Sequence, residues 1–294
     1  MNQKKLKGQL PAGSLQQANL ELWRSAGYKI GVKERSLFPT IDDPELDLIL
    51  VRPQEIPRYV AEGKADFGIT GSDCIAECEC EDRVVEMAEL VFSKVSRKPT
   101  RWVLAVSQDS PIQGLQDLNG TSIDAEFVTM TNRWLSARGI QATVRYSWGA
   151  TEVKPGRFCD AIVESTETGE SLMRNGLRIV AEVMQSTPRF IANPVSFADP
   201  WKREKMEDIV LMLQGALAAE GKACLTMHVR EENLETILPI IPALRSPTVS
   251  RLASEGWFSL TAIIDEMVVR VIIPKLKRAG AEGIIESPIS KLIM

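Results

Sequence analysis

A short loop in the second half of the chain has the residue types needed to hold a phosphate and a sugar together. Residues 160–171 read DAIVESTETGES, so an apolar run ends at Glu164 and gives way to turn-forming residues. Those residues are Thr166, Thr168, Gly169 and Ser171. Backbone N–H groups that converge at a turn bind phosphate without a cationic side chain, and hydroxyls add further donors. Residue types and spacing alone fit an acidic turn followed by a Thr- or Ser-capped helix equally well.

Glu164 gives the loop a second chemical capacity. Its carboxylate, at the end of the apolar run, could accept hydrogen bonds from two ribose hydroxyls or hold a Mg²⁺ that bridges them. One loop would then bind a phosphate and a ribose together.

Two more polar turns follow buried-strand patterns in the first half of the chain. The run LDLILV at 46–51 leads into Arg52, and ADFGITGSD at 65–73 leads through a glycine turn. Ligands in open α/β sheets sit at the carboxyl ends of strands, so the residues after these runs become neighbours in a candidate site. They are Arg52, Thr70, Gly71, Ser72 and Asp73. Each turn by itself is equally explained by ordinary turn and cap residues, with Ser72 and Asp73 as good N-cap types.

The cysteines give little support for a metal site. Cys74, Cys78 and Cys80 form a cluster, but it has no matching second pair, and His228 is far away in sequence. Structural zinc requires four N or S ligands at recognisable spacing, so reduced thiols are the better interpretation.

The elements that position these residues alternate between strand and helix patterns, which indicates an α/β fold. We expect one α/β lobe over 1–102, with the chain returning to it at 186–200, and a second lobe over 103–185. From 201 to 294 a linking helix precedes the order βαββαβ, the ferredoxin-like motif, whose first helix is expected over 230–244.

Composition limits the function classes. The 294 residues are 44% apolar and 25% charged with a net charge of −4, which is ordinary for a soluble protein and gives no indication of nucleic-acid binding. The N-terminus has no apolar leader segment, and no apolar run is long enough to span a membrane. We therefore expect a cytoplasmic protein.

The chain resembles the ATP phosphoribosyltransferases, the enzymes of the first step of histidine biosynthesis, over essentially its whole length. The matching segments include LPAGSLQQANLELWRSAGY, VRPQEIPRYVAEGKADFGITGSD, SWGATEVKP, DAIVESTETGESLMRNGLRIV and ALRSPTVSRLASEGW. The resemblance implies two lobes like a periplasmic binding protein plus a ferredoxin-like regulatory domain, the long form of the family, assembled as dimers and hexamers. It implies that ATP and 5-phosphoribosyl 1-diphosphate, with Mg²⁺, give N1-(5-phosphoribosyl)-ATP and diphosphate.

Residue roles follow from the same resemblance. Arg52, Asp73 and Glu164 are the expected catalytic residues, with Glu164 on the ribose hydroxyls. The expected phosphoribosyl-diphosphate loop comprises Glu164, Thr166, Glu167, Thr168, Gly169, Glu170 and Ser171. The expected ATP-binding residues are Arg35, Arg52, Gly71, Ser72, Asp73 and Arg101. The resemblance assigns the same role to Arg133. Because the sugar passes through a cation-like state, we expect positioning and electrostatic stabilisation to matter more than a strong base.

The resemblance also implies feedback inhibition by L-histidine in the C-terminal domain, at an interface between subunits. Ser246 and Thr248 are the expected lining residues together with His228, although a lone histidine is more often structural. One departure concerns Ala12, which stands where the family commonly has a lysine. Without that lysine, substrate binding could be weaker, Lys5 or Lys7 could provide the positive charge instead, or the activity could be reduced.

Two other function classes compete with the enzyme. A solute-binding protein would share the two lobes, but we would expect a secretion signal and no ribose-phosphate loop. A catalytically silent regulatory paralogue would explain Ala12 but not the intact ESTETGES loop.

Overall fold

The structure, a computed structural model, describes residues 4–91 and 99–294. The chain divides into two compact units, Met1–Val210 and Leu211–Met294. Within the described residues, no helix combines the length and apolar character needed to cross a membrane.

The first unit contains two α/β lobes, each built on a five-stranded mixed sheet. The first lobe is formed by β1 (Leu6–Pro11), α1 (Gln16–Ser25), β2 (Leu46–Val51), α2 (Ile56–Ala61), β3 (Phe67–Gly71), α3 (Ser72–Glu77) and β4 (Val85–Glu89). The second lobe is formed by β5 (Thr100–Ser107), β6 (Ser122–Ala125), α4 (Val128–Ser136), β7 (Thr143–Tyr146), β8 (Ala161–Thr166), α5 (Glu170–Arg174) and β9 (Leu177–Ser186). The chain continues through β10 (Pro188–Ala192), α6 (Pro194–Ala198) and α7 (Pro200–Ala219).

The two sheets share one topology. The first has the strand order β2-β1-β3-β10-β4 and the second has the order β7-β6-β8-β5-β9. In each, three parallel strands are followed by an antiparallel strand, which is β10 in the first sheet and β5 in the second. The parallel strands of each lobe therefore end at one edge, where polar turns collect.

Buried aromatic packing explains the glycine in β1. Phe67 of β3 is fully buried and stacks on Phe190 of β10, with ring centroids 4.8 Å apart. A Cβ on Gly8 would lie 2.2 Å from the Phe67 ring, so only glycine fits opposite this ring. The apolar runs that predict strands are thus the ones that fill the core between sheet and helices.

The second unit is a four-stranded antiparallel sheet in the order β12-β13-β11-β14, with helices on one face. Its elements are β11 (Lys222–Arg230), α8 (Leu234–Ile237), β12 (Thr248–Arg251), β13 (Trp257–Asp265), α9 (Glu266–Arg278) and β14 (Glu282–Pro288). This is the predicted βαββαβ order, so the α/β fold class with a ferredoxin-like C-terminal domain is confirmed. The expected helix over 230–244 is wrong in length, because Pro239 and Pro242 restrict α8 to one turn flanked by short 3-10 segments.

Candidate active site

A cavity of about 370 Å³ lies between the two lobes, at the edges where the parallel strands end. Residues from both lobes and from the crossing segments form its walls. Those used below are Ser14, Gln54, Gly71, Asp73, Trp102, Glu126, Phe127, Ser165, Thr166, Glu167, Ser186 and Thr187. This volume is in the usual range for small-molecule and cofactor sites.

The loop between β8 and α5 forms one wall of the cavity through Thr166 and Glu167. The Thr166 hydroxyl accepts a 2.8 Å hydrogen bond from the backbone N–H of Gly169, which closes the turn. Gly169 has φ +82°, a left-handed conformation that favours glycine, and a Cβ there would lie 3.4 Å from Ile179 Cδ1. The hydrogen bond and the glycine conformation together define the shape of this turn.

The remaining residues of the expected phosphate cradle lie at the start of α5. Thr168 is exposed and its hydroxyl accepts a 3.4 Å hydrogen bond from the N–H of Glu170, while Glu170 also pairs with Arg174 at 3.2 Å. The Ser171 hydroxyl donates to Glu152 Oε1 over 3.1 Å. The structure therefore brings the predicted loop residues together in one tight turn, with the Glu170 carboxylate facing solvent.

Glu164 is half-buried in β8, next to the cavity-lining Ser165. Burial raises the pKa of its carboxyl above the ordinary value, and the nearby Glu152 carboxylate acts in the same direction. A 2.9 Å hydrogen bond from the Ser165 N–H acts against that shift, as does the Thr151 hydroxyl. Glu164 is therefore a partly desolvated carboxylate that accepts a hydrogen bond from Ser165.

The turn from β3 into α3 forms the opposite wall. Gly71 is the N-cap residue and Ser72 and Asp73 begin the helix, so the expectation that Ser72 or Asp73 provides the cap is wrong. Asp73 instead accepts hydrogen bonds from the Cys74 N–H at 2.9 Å and from the Trp102 indole at 2.7 Å. A Cβ on Gly71 would lie 2.0 Å from Asp73 Oδ1, which explains the glycine.

Residues of this turn also bind the segment that crosses back to the first lobe. The Asp73 N–H donates to the Ser186 hydroxyl at 3.1 Å, and the Ser72 hydroxyl accepts from the Thr187 N–H at 3.3 Å. The turn is thereby fixed to the connection between the two sheets.

Arg52 lies at the same edge, against the turn that follows β1. The Cβ position of Gly13 would be 3.0 Å from Arg52 Nη1, so the guanidinium lies beside the turn that contains Ala12. Lys5 and Lys7 stand at the amino end of β1, roughly 16 to 23 Å away along the strand. Arg52, rather than either lysine, therefore supplies positive charge next to Ala12.

Arg52 itself does not line the cavity, although its neighbour Pro53 does, and the three other predicted arginines also lie outside the wall. Arg101 forms an ion pair with Glu182 of β9 at 2.6 Å and is on the opposite face of β5 from Trp102. Arg133 bridges from α4 to Glu81 of the first lobe at 2.6 Å. Arg35 has φ +60° and lines a separate groove beside α1.

The expected regulatory residues lie on the open face of the C-terminal sheet. In the strand register, Thr248 is opposite Thr261 and His228 is opposite Ser259. Thr248 and His228 therefore lie in two different rows of side chains that run across the strands. These rows share the face opposite the domain core, which is formed by residues such as Leu225 and Leu260. Ser246 precedes β12 in the adjoining loop. The structure places Thr248 and His228 on one face but two strands apart.

Sequence reasoning missed several cavity residues. Trp102 and Phe127 form a stacked pair, with centroids 4.5 Å apart, and Ser14, Gln54 and Glu126 complete the wall. Ser14, Gln54 and Glu126 each follow closely on the carboxyl end of a parallel strand. Ligands in open α/β sheets sit at the carboxyl ends of strands, and this rule selected Arg52 and Thr70. Applying it to β1 and β6 as well would have found these residues.

The described residues contain no group of three or more His, Cys, Asp or Glu side chains arranged to hold a metal ion. All five cysteines are free thiols, and burial raises the pKa of Cys74, Cys78 and Cys80.

Two family models match the chain. The model described as ATP phosphoribosyltransferase covers residues 52–215, and the model described as the HisG C-terminal domain covers residues 219–291. Together they include the C-terminal sheet and every cavity-lining residue except Ser14 and Leu15.

Curated relatives match over nearly full length. An ATP phosphoribosyltransferase of Chlorobaculum parvum is 52% identical over 98% of this chain and 97% of its own length. ATP phosphoribosyltransferase 1 of Geobacter sulfurreducens is 49% identical over 97% of each. A solved ATP phosphoribosyl transferase (HisG:HisZ) complex from Thermotoga maritima aligns with TM-score 0.59 and 26% identity over 71% of this chain and 96% of that one. The chain therefore belongs to the ATP phosphoribosyltransferase family, in the long form that carries its own C-terminal domain.

Proposed function

We propose that the cavity between the lobes catalyses transfer of the phosphoribosyl group from 5-phosphoribosyl 1-diphosphate to N1 of ATP. The observation that carries the proposal is that two predicted subsites form opposite walls of one cavity. Thr166 and Glu167 come from the expected phosphate loop, while Gly71 and Asp73 come from the expected nucleotide turn. The products are N1-(5-phosphoribosyl)-ATP and diphosphate, the first step of histidine biosynthesis, and we expect it to proceed in the cytoplasm.

The phosphate loop binds the sugar end of the donor. Amides of the turn closed by Thr166 and Gly169 face the 5′-phosphate, and Thr168 and Ser171 provide hydroxyls. Glu164 accepts from the ribose hydroxyls, and its carboxylate offsets the positive charge that develops on the sugar as diphosphate leaves.

Arg52 faces the leaving diphosphate. Its guanidinium is next to the turn at Gly13 and Ala12, where positive charge is required when the family lysine is absent. Asp73 is held by Trp102 on the nucleotide side and positions ATP rather than removing a proton.

Mg²⁺ enters this scheme with the substrate. The described part of the chain has no cluster of three acidic, cysteine or histidine ligands, whereas the diphosphate and ribose oxygens are the hard ligands that Mg²⁺ prefers. Glu164 is the residue we expect to approach a substrate-bound ion.

Ultraviolet absorbance of the N1-substituted adenine tests the reaction when the protein is mixed with ATP, phosphoribosyl diphosphate and Mg²⁺. Product that requires both substrates is expected. Binding of phosphoribosyl diphosphate without product would instead favour the silent paralogue, and Ala12→Lys would then be the next variant. Failure to bind either substrate would favour a binding protein for another solute.

We further propose that L-histidine inhibits the enzyme by binding the open face of the C-terminal sheet, which carries hydroxyl rows including Thr226, Thr248 and Thr261. Isothermal titration with L-histidine should show heat for the wild type, and Thr248→Val should bind about tenfold more weakly, the effect of one lost hydrogen bond. Activity without histidine should be unchanged in this variant. A folded, active wild type that gives no heat would contradict the feedback site.

We expect the chain to assemble as a homo-oligomer, from dimer to hexamer. Light scattering coupled to size-exclusion chromatography, with and without L-histidine, measures the assembly directly.

A further inference from the structure

Among the described residues, three carboxylates line the cavity, and Glu126 has an oxygen that can accept a hydrogen bond from a ligand. Both oxygens of Asp73 already accept hydrogen bonds within the protein, and Glu167 belongs to the phosphate loop. Glu126 Oε1 accepts a 2.9 Å hydrogen bond from Gln54 Nε2. No other described residue donates a hydrogen bond to this carboxylate, so its Oε2 is open to a donor in the cavity.

The side chain of Gln54 is oriented by its partner and by its own backbone. A carboxylate can only accept, so the amide nitrogen of Gln54, and not its oxygen, faces Glu126. The Pro53 carbonyl accepts a 2.7 Å hydrogen bond from the Thr70 hydroxyl. The Gln54 carbonyl accepts from Cys78 Sγ at 3.2 Å. Because Gln54 follows β2 and Glu126 follows β6, the hydrogen bond between them joins the two lobes.

The backbone after Glu126 is also fixed, at the start of α4. Glu77 of the first lobe accepts hydrogen bonds from two N–H groups in the first turn of this helix, at 3.1 and 2.8 Å. Phe127 and Trp102, whose stacked rings line the cavity, provide an apolar surface close to the carboxylate. An apolar surface next to a single acceptor suits a nucleobase, whereas a phosphate would be repelled by the carboxylate.

Glu126 also lies beside Glu164 at the carboxyl edge of the second sheet. In the parallel pairing of β6 with β8, Ala125 is opposite Val163, so Glu126 and Glu164 are the next residues along the two chains. Neighbouring strands are about 4.8 Å apart. In the proposed reaction, N1 of adenine must reach the sugar at Glu164, and the carbon next to N1 carries the amino nitrogen N6. The Glu126 carboxylate is therefore close to where N6 must lie.

We propose that Glu126, oriented by Gln54, accepts a hydrogen bond from the N6 amino group of ATP and selects adenine as the reacting base. This inference rests on the proposed function and identifies the residue that distinguishes the base. An oxygen in place of N6, as in guanine, would bring a second acceptor to the carboxylate and be rejected.

The same contact assists the transfer. The N1 lone pair forms the bond to the anomeric carbon, while the electron pair of the carbon–oxygen bond leaves with diphosphate. The positive charge gained by the base is shared between N1 and N6. A carboxylate at N6 stabilises that charge through a charge-assisted hydrogen bond, and this step requires no proton transfer.

Purine riboside 5′-triphosphate, which lacks the amino group but keeps N1, tests the proposal. Wild type should prefer ATP because the amino group makes N1 more nucleophilic and because it binds Glu126. Glu126→Ala removes only the second cause, so the ratio of kcat/KM for ATP to kcat/KM for the analogue should fall by about tenfold or more. Gln54→Ala, at an exposed position, leaves the carboxylate without its orienting donor and should lower the ratio by a smaller factor.

Glu55→Ala is the matched control, because Glu55 directly follows Gln54 but does not line the cavity. Its carboxylate accepts from the Tyr59 hydroxyl at 3.1 Å, and its removal should leave the ratio unchanged. An equal ratio in wild type and Glu126→Ala would overturn the proposal. Glu126→Ala could instead change only the preference for ATP over 2′-deoxy-ATP. That result would place Glu126 at the nucleotide ribose and would also overturn the proposal.

Isothermal titration with ATP and with the analogue, in the absence of phosphoribosyl diphosphate, separates this inference from the reaction. Wild type should bind ATP more tightly than the analogue, and Glu126→Ala should reduce that difference. A wild type that shows this preference but forms no product would overturn only the proposed function. A wild type that binds neither nucleotide and forms no product would overturn both.

Discussion

The Trp102 indole N–H donates a 2.7 Å hydrogen bond to Asp73 Oδ2, joining β5 of the second lobe to the first turn of α3 in the first. The Trp102 ring also stacks on Phe127, and all three residues line the cavity. This contact places a carboxylate of one lobe by means of an aromatic residue of the other. The shape of this wall of the cavity therefore depends on how the lobes meet.

Trp102→Phe tests this relationship, because it keeps an aromatic ring but removes the donor. A hydrogen bond to a charged group contributes about 1.5 to 3 kcal/mol, so we expect kcat/KM for ATP to fall at least tenfold. Trp134→Phe is the control, since the buried Trp134 indole makes no hydrogen bond to any described residue. Equal losses of activity in the two variants would show that ring volume, and not the bond to Asp73, is what matters.

Gly169→Ala should impair phosphoribosyl-diphosphate binding. The φ of +82° strains any residue with a side chain, and we expect a loss of stability of about 1 kcal/mol together with a several-fold higher KM for this substrate. Gly120→Ala imposes the same kind of strain at φ +79°, where a Cβ would meet nothing within 4 Å. Steady-state kinetics and thermal unfolding on both variants separate the two effects. A KM that rises equally in both would argue against a binding role for the Gly169 turn.

Arg52→Met should be far more damaging than Arg101→Met. Arg52 lies beside Gly13 and directly precedes the cavity-lining Pro53, whereas Arg101 is paired with Glu182 on the face of its strand opposite Trp102. We expect kcat/KM to fall by about two orders of magnitude for Arg52→Met, and by less than tenfold for Arg101→Met, whose half-exposed ion pair contributes little. Initial rates at varied phosphoribosyl diphosphate measure this ranking. The reverse ranking would mean that substrate binds at the face of β5 that carries Arg101, and not at the face that carries Trp102.

The stability of the first lobe should decrease at low pH as the Asp66 carboxylate becomes protonated. Burial alone would raise the pKa of this carboxyl, but hydrogen bonds from Lys202, Ser196 and the Lys7 N–H, at 2.6, 2.6 and 2.8 Å, outweigh it and lower the pKa below its usual value. The folded state therefore binds the Asp66 proton less readily than the unfolded state. Its stabilisation is fully present above the unfolded-state pKa of about 3.9 and is lost as pH falls through the lower folded-state value.

Urea unfolding measures this contribution. Asp66→Asn should lower the free energy of unfolding by about 2 to 3 kcal/mol at pH 7, and by progressively less as the pH falls below about 4. The exposed Asp82→Asn should change little at either pH. A difference between wild type and Asp66→Asn that stays constant from pH 7 to pH 3 would contradict the assignment.

Strands were predictable where burial dominates. LDLILV at 46–51 forms β2 with the predicted bounds, because a continuous apolar run pairs along its length with β1. β4 was not anticipated, since its edge strand reads VEMAE with alternating acids and only one buried residue. The helix predicted over 230–244 was too long, because Pro239 and Pro242 lie within that range.

The site was predictable to the extent that it follows strand ends. Arg52, Gly71 and the 164–171 loop were found in this way, and the family resemblance supplied their expected roles. The Trp102–Asp73 hydrogen bond was not found, because it depends on how separate segments pack in three dimensions. No periodicity in one segment contains that information.

The most direct test of the proposed transfer measures adenine N1 substitution and diphosphate release together, in wild type and in Glu164→Ala. We predict equal amounts of both products from wild type, only when ATP, phosphoribosyl diphosphate and Mg²⁺ are all present. Glu164→Ala, folded to the same extent by circular dichroism, should lose at least a hundredfold in kcat/KM, the order of a major electrostatic contribution to a transition state. A wild type that releases no diphosphate, or a Glu164→Ala variant with wild-type turnover, would contradict the placement of the reacting sugar at Glu164.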